Sequence, residues 1–296
     1  MALKPRIDAF GAVSLVAFSL LLGFNQVVIK VTNDGLQPVF FAALRSVGGA
    51  LVICAWIRWR RIPLRLPRRT WPAGLLIGGA FAVEFVLLFL ALDLTSVTRV
   101  SVIFYTMPIW LALGAHLLIP GERLTRPKSA GLALAFAGVA AAFLGHGAEA
   151  GEGALLGDVF ALGAAMGWAS IALIVRTTEL KSVRPEVQLL WQLVVSAPIL
   201  LVAAAFFGPA LRAPEPIHWA GLLFQILAVV SAGFLFWFWL LTIYPAASVA
   251  AFAFLAPIFG VGLGWLLLDE AVGPGILVAL VLVCLGLILV NRPPRS

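Results

Sequence analysis

Two full charges stand where the sequence is otherwise apolar. Arg45 interrupts PVFFAALRSVGGALVICAWI, and Glu84 interrupts GLLIGGAFAVEFVLLFLAL. A charge inside a long apolar stretch costs at least ~2.5–3.5 kcal/mol on insertion scales unless it is partnered. If both stretches are helices rising 1.5 Å per residue, Arg45 lies ~10 Å and Glu84 ~13 Å below one common end. The matched depths allow an ion pair. Its role is either structural or chemical, with Glu84 holding a proton or the ammonium group of a bound molecule. Glu84 is the only carboxylate that reads as lying well inside a helix, so proton chemistry, if present, would use it.

The remaining candidates are polar or aromatic. Asn25 and Gln26 lie in the first apolar stretch, where a buried amide must find partners; Asn25 reads either as an interhelical bond or as part of a cavity wall. Lys30 sits near a helix end and can reach polar surroundings along its aliphatic stem. Tyr105 is one of two tyrosines, and its hydroxyl needs a partner if buried. Phe24 and Trp168 are equivalent in an internal repeat, as are Tyr105 and Phe254, so the four are candidates for two facing aromatic walls. Trp237 is a further wall candidate. His116 reads as a structural histidine, and Arg99 as a surface residue meeting Asp93. Cys54 and Cys284 each lie in an apolar run and read as small buried side chains. The three histidines are scattered, so no metal site or cofactor is expected.

These residues require a framework. Hydrophobic residues make up 62% of the chain and charged residues 11%. A soluble domain carries roughly 45–50% apolar and about 25% charged residues. At 296 residues, this chain cannot hide so much apolar surface in one core, so lipid must cover part of it. Ten apolar runs are long enough or nearly long enough to span a bilayer: 9–31, 38–57, 71–92, 97–119, 128–145, 154–175, 186–207, 217–240, 246–268 and 272–291. Sixteen of the twenty Lys and Arg residues fall at the termini and in alternate loops. That distribution places both termini in the cytoplasm. It also accounts for the net charge of +7 without a nucleic-acid partner.

The stretch around Pro108, TSVTRVSVIFYTMPIWLALGAHLLIPGERL, is an imperfect copy of the one around Pro257, AASVAAFAFLAPIFGVGLGWLLLDEAV. Glu122 matches Glu270, and Gly138 matches Gly286. Five spans per half is odd, so the two halves, 1–148 and 149–296, insert with opposite topology, the plan of many secondary transporters. The GHGAEAGEG stretch is the natural linker. Pro108 and Pro257 each remove a backbone donor and can bend a helix. They read either as static packing kinks or as hinges. Arg45 corresponds to Gln192, and Glu84 to the region 231–233, so the second half lacks both charges.

Several motifs resemble the drug/metabolite transporter superfamily, in its ten-helix form with two EamA-type halves. They are GFN followed by Lys30, ALR at Arg45, MP followed by PGERL, GWAS, and AP followed by LDE. Within that family the chain resembles the aromatic amino-acid exporter branch. The resemblance implies kinked fourth and ninth helices flanking a central cavity, and a bacterial inner-membrane location. The expected fold is an all-α integral membrane protein of ten transmembrane helices in two inverted five-helix repeats. The expected activity is export of neutral amino acids, aromatic ones included, or related small metabolites by alternating access. The substrate candidates are Phe24, Asn25, Glu84, Tyr105, Trp168, Trp237 and Phe254, with Pro108 and Pro257 as hinges and Arg45–Glu84 as the ion pair. Efflux of cationic drugs and uptake of another metabolite remain open. So does a scaffold that transports nothing. An intramembrane enzyme would need a nucleophile–base pair or a metal cluster; no HExxH or GxSxG occurs.

Overall fold

The computed structural model describes residues 7–64, 67–144, 153–244, 252 and 254–290. Among them the chain is helical, with one isolated bridge between Leu36 and Leu211. The helices are α1 (Ala9–Gly35), α2 (Pro38–Trp59), α3 (Trp71–Leu94), α4 (Val97–Phe104), α5 (Met107–Leu118), α6 (Arg126–Leu144), α7 (Ala154–Thr177) and α8 (Pro185–Ala204). α9 (Pro216–Phe224), a π-wound stretch (Gln225–Gly233) and α10 (Phe234–Ile243) follow without a break, then α11 (Leu255–Leu268) and α12 (Pro274–Val290). Eight helical segments have the length and apolarity to cross a bilayer, and α11 and α12 are shorter apolar helices. α4 and α5 together form the fourth span, and α9 through α10 the eighth. The linker, the 148/149 boundary, Arg65, His146 and the start of the ninth span lie outside the described residues.

Local chemistry sets several helix boundaries. The Asp8 side chain accepts from the Gly11 N–H at the start of α1. Ser96 accepts from the Arg99 N–H at the start of α4. Such oxygens satisfy donors that the first turn leaves without partners. The fourth span is broken at Tyr105 and Thr106, and Pro108 lies in the first turn of α5. There proline forfeits no helical hydrogen bond. Pro257 is the third residue of α11, also within its first turn. Pro108 therefore marks a break, with two separate helices in place of one bent rod.

The packing carries the symmetry of the repeat. α6 lies against α12, and α2 against α8. A methyl group added at Gly138 would fall 2.8 Å from Val283 and 2.9 Å from the Ala279 carbonyl. One added at Gly286 would fall 2.8 Å from Ala135 and 2.6 Å from the Gly131 carbonyl. At the repeat spacing, Gly138 maps onto Gly286, Ala135 onto Val283 and Gly131 onto Ala279, so each contact is the image of the other. α2 and α8 behave the same way. Ser196 bonds Ser46 at 3.2 Å, while Gly49 faces Leu193. In both pairs, rising residue numbers on one helix meet falling numbers on the other. A two-fold axis crosses these antiparallel pairs at right angles to their length, which is the geometry of an inverted repeat. Small residues let the backbones approach this closely.

Large apolar side chains cover the outside. Leu51, Val83, Leu117 and Leu266 are each more than half exposed. In a chain this apolar, that surface faces lipid, and the protein is an integral membrane protein of ten spans.

Candidate functional site

The polar residues expected to do chemistry converge on the middle of the bundle, with an arrangement the sequence does not show. Arg45 is 2% exposed on α2. Its Nε donates to Gln225 Oε1 at 3.1 Å, and Gln225 Nε2 donates to Asn25 Oδ1. This polar chain joins α1 and α2 of the first half to the π-wound stretch of the second. Gln225 is the first residue of that stretch, and Ser231 Oγ bonds the Ile226 carbonyl five residues back, in keeping with π winding. Such irregularities concentrate at functional sites.

The ion pair expected between Arg45 and Glu84 is not formed. Among the described residues, no cationic nitrogen lies within 4.0 Å of the Glu84 carboxylate. Helical geometry supplies the reason. Phe81, Phe85 and Phe89 recur every fourth residue on the face of α3 turned to α2, and the Arg45 guanidinium lies 3.9 Å from the Phe85 ring centre. That placement favours a guanidinium stacked on an aromatic ring. Glu84 is turned about 100° away on the same helix. Its Cβ lies 3.2 Å from the position a Cβ would take at Gly167 on α7. Glu84 Oε2 and Arg45 Nη1 are both buried without a hydrogen-bond partner. They share a level of the bundle, since Phe85 and Glu84 are consecutive.

A second polar seam runs between α1 and α4. The Tyr105 hydroxyl donates to the Leu22 carbonyl at 2.8 Å. One turn further along, Gln26 on α1 is fully buried beside that hydroxyl, and neither of its amide atoms makes a well-formed hydrogen bond. One turn before Tyr105, Ser101 on α4 is likewise buried, with its hydroxyl unbonded against Gly260 of α11. Leaving such groups unpaired costs about 1–3 kcal/mol each. Their clustering on α1 and α4, where Ser101 meets α11 of the second half, marks a place where a polar ligand would relieve the deficit.

The aromatic walls are only partly assembled. Trp168 stacks on Phe104 with ring centres 5.2 Å apart, and Phe104 meets Tyr105 at 5.5 Å. These three border the seam. Phe24 instead is 37% exposed and meets Phe224 edge-on. Trp237 stacks on Phe18 at 4.9 Å, in the satellite cluster around Leu15 and Tyr244. Phe254 packs beside α12, its carbonyl 3.5 Å from the Cys284 sulfur. The repeat pairs Phe24 with Trp168 and Tyr105 with Phe254, but only Tyr105 and Trp168 come together. The reason is azimuth: equal depth does not fix which way a side chain faces.

One end of the bundle, at the C-terminus of α1, is closed by bonds between the halves. Arg99 is paired with Asp158 of α7 and also bonds the Ala142 carbonyl. Its expected partner Asp93 is instead held by Arg212 at 2.7 Å, so Arg99 is a buried cross-half residue. Asp158 is thus a second buried carboxylate beside Glu84, five residues into α7. Both oxygens of Glu270 accept backbone N–H groups at the start of α4, Val97 at 2.6 Å and Thr98 at 2.8 Å. Lys30 donates to the Thr95 carbonyl at 3.0 Å. Glu122, the repeat counterpart of Glu270, lies at the opposite end and forms an exposed pair with Arg176. Also at that end the Tyr244 hydroxyl bonds Asp8. A hollow of about 350 Å³ lies there too, lined by His116, Ile119, Gly121 and Arg123. Arg45, Glu84, Asn25 and Gln225 of the central polar cluster are all buried. His116 Nδ1 accepts from the Leu124 N–H in an exposed turn. Cys54 is exposed on the outer surface.

Comparison with known proteins points the same way. The profile of the EamA-like transporter family matches the chain twice, over residues 9–144 and 155–292. An "uncharacterized transporter YoaV" of Bacillus subtilis (strain 168) is 24% identical over 276 residues, covering 92% of this chain and 94% of the relative. A protein of Escherichia coli (strain K12) named "probable amino-acid metabolite efflux pump" is 28% identical over 262 residues, covering 84% of this chain and 83% of its own length. One solved crystal structure superposes with a TM-score of 0.66 at 21% identity, covering 94% of this chain and 97% of that one. That likeness shows the fold alone.

Proposed function

Because the chain belongs to the EamA-like transporter family, we propose that this membrane transporter exports neutral amino acids, aromatic ones included, or closely related zwitterionic metabolites. Its substrate would be held between the halves at the level of Arg45 and Glu84. One observation carries the reading. A guanidinium nitrogen and a carboxylate oxygen sit at one depth in the bundle, both buried and both without a partner. A zwitterion supplies the two missing charges. Arg45 Nη1 would take the carboxylate, with Asn25 and Gln225 fixing the guanidinium. Glu84 would take the ammonium. Tyr105 and Trp168 would border the side chain, and Gln26 and Ser101 would supply further polar contacts. The relatives named as amino-acid metabolite efflux pumps support the substrate class.

The bonds at the C-terminal end of α1 support a conformation sealed on one side. With both termini in the cytoplasm of a bacterial inner membrane, the sealed side is the outer one. Transport would proceed by opening that end as the opposite end closes around the same cluster. The break before Pro108 is a proposed flex point, and Pro257, its repeat counterpart, is the other. The test is counterflow of labelled amino acids into proteoliposomes, with unlabelled amino acids and lipophilic cations as competitors. Amino acids should exchange and compete. Exchange blocked by cations alone, or no exchange of any amino acid, would overturn the reading.

A further inference from the structure

The geometry points to an activity beyond substrate movement: Glu84 carries a proton across the membrane in exchange for substrate, making export proton-driven. The inference rests on the substrate reading above and gives its site an energy source.

Four other acidic groups in the described helices and loops have visible work, and Glu186, which also has a buried oxygen without a hydrogen bond, stands in the first turn of α8 rather than in mid-span. Asp158 holds Arg99, Asp93 holds Arg212, Glu122 holds Arg176, and Glu270 caps α4. Glu84 alone combines deep burial in mid-span with an oxygen lacking any partner. Among elements packed against α3, Arg45 on α2 is the charged group at its level, and Gln225 and Phe85 hold it off. The remaining charges lie toward the ends of α3. At the C-terminal end are Lys30 of α1, Arg99 of α4 and Asp158 of α7, beside Asp93 itself. Toward the N-terminal end lie Arg58, Arg68, Arg69, Arg176, Glu179, Lys181 and Glu186. Gly167, where α7 crosses Glu84, and Arg176 at the end of α7 are nine residues apart, or ~13 Å along a helix. An ionised carboxylate in this setting would face a desolvation cost of several kcal/mol, offset only in part by the Arg45 charge at the same level. The neutral acid avoids it. A metal cation would need several oxygen ligands, whereas Gly167, which meets the Glu84 Cβ, brings no side chain, and no cluster of three acidic, His or Cys residues occurs among the described residues. A proton needs one lone pair.

The exchange balances. In the sealed state Glu84 is a carboxylic acid. When the site opens toward the substrate side, its O–H proton passes to water and leaves a carboxylate. The substrate ammonium then occupies that carboxylate. After the bundle reopens on the other side, the substrate leaves and the carboxylate takes a proton from water there. Proton and ammonium cannot share the oxygens, so each cycle moves one substrate one way and one proton the other. A zwitterion carries no net charge, so the cycle moves one positive charge.

The test uses purified full-length protein in liposomes. Infrared difference spectra between acid and alkaline pH should show the carbonyl stretch of a protonated carboxylic acid, absent in Glu84→Gln. With the membrane potential held at zero, a one-unit pH gradient should raise substrate accumulation about tenfold in the unaltered protein, since a tenfold proton ratio drives one substrate per proton. Glu84→Asp should keep that response. Glu84→Gln should exchange substrate more slowly and lose the pH response of whatever exchange remains. Missing counterflow in the unaltered protein would remove the substrate reading, and the infrared band would then decide on Glu84. Absence of the band, or pH-driven accumulation surviving in Glu84→Gln, would overturn the proposal.

Discussion

Arg45 depends on Gln225, and this dependence can be tested at single-residue resolution. Gln225 supplies the acceptor for Arg45 Nε and the donor for Asn25. Hydrogen bonds to charged groups are worth about 1.5–3 kcal/mol. Gln225→Leu should therefore lower the thermal midpoint and cut counterflow by roughly tenfold to a hundredfold. Gln225→Glu should behave differently. Its carboxylate would pair with Arg45, hold the melting temperature near that of the unaltered protein and abolish exchange by occupying the substrate's place. Melting in detergent and counterflow in liposomes separate the two effects. The sequence makes Arg45, Glu84, Asn25 and Gln26 conspicuous because each is polar in an apolar run. Gln225 carries the same signal in the eighth run. Its role was hidden because partners 180 and 200 residues away in sequence are set by tertiary packing. Asp158 was hidden for the same reason, and so Arg99 read as a surface residue.

Among the helices, the two-fold contact makes a quantitative claim. Gly138 and Gly286 occupy equivalent places in one antiparallel pair, so Leu at either position meets the same obstruction. Each substitution should destabilise by about 1–3 kcal/mol. The two should lower the melting temperature by similar amounts, read by thermal unfolding in one detergent. A large loss at one and none at the other would contradict the equivalence of α6 and α12. The break between α4 and α5 makes a second claim. Pro108→Ala supplies an N–H able to bond the Phe104 carbonyl across the break, and it lifts the restriction that proline places on Met107. If the break is a working joint, exchange at saturating substrate should slow several-fold while binding affinity stays the same. Rates and affinities measured on the same preparation check this. The repeat and the spans are legible in the sequence because periodic apolar runs and loop charges record them directly. The break is less legible: a proline allows a bend, a static kink or a helix start, and only the surrounding backbone selects among these. The π winding that begins at Gln225 leaves no mark in residue type.

At the scale of the whole molecule, bonds between the halves close the bundle at one end, the end that the proposed transport cycle has to open. Leu36 and Leu211 form an antiparallel bridge between the halves at that end, and Arg212, Asp93, Arg99, Asp158 and Glu270 surround it. Opposed residues in such a bridge have Cα atoms about 4.5–5.5 Å apart, inside the ~4.4–6.8 Å range of disulfides. The architecture was legible from composition, loop charge and the repeat. The sealed end was not, because it rests on bonds between residues far apart in the chain. The most direct measurement of alternating access is counterflow by a Leu36→Cys, Leu211→Cys variant, with Cys54 and Cys284 replaced by serine and alanine. Oxidation should form the disulfide and stop exchange, and a reductant should restore it. Undiminished exchange with the disulfide fully formed would contradict the account.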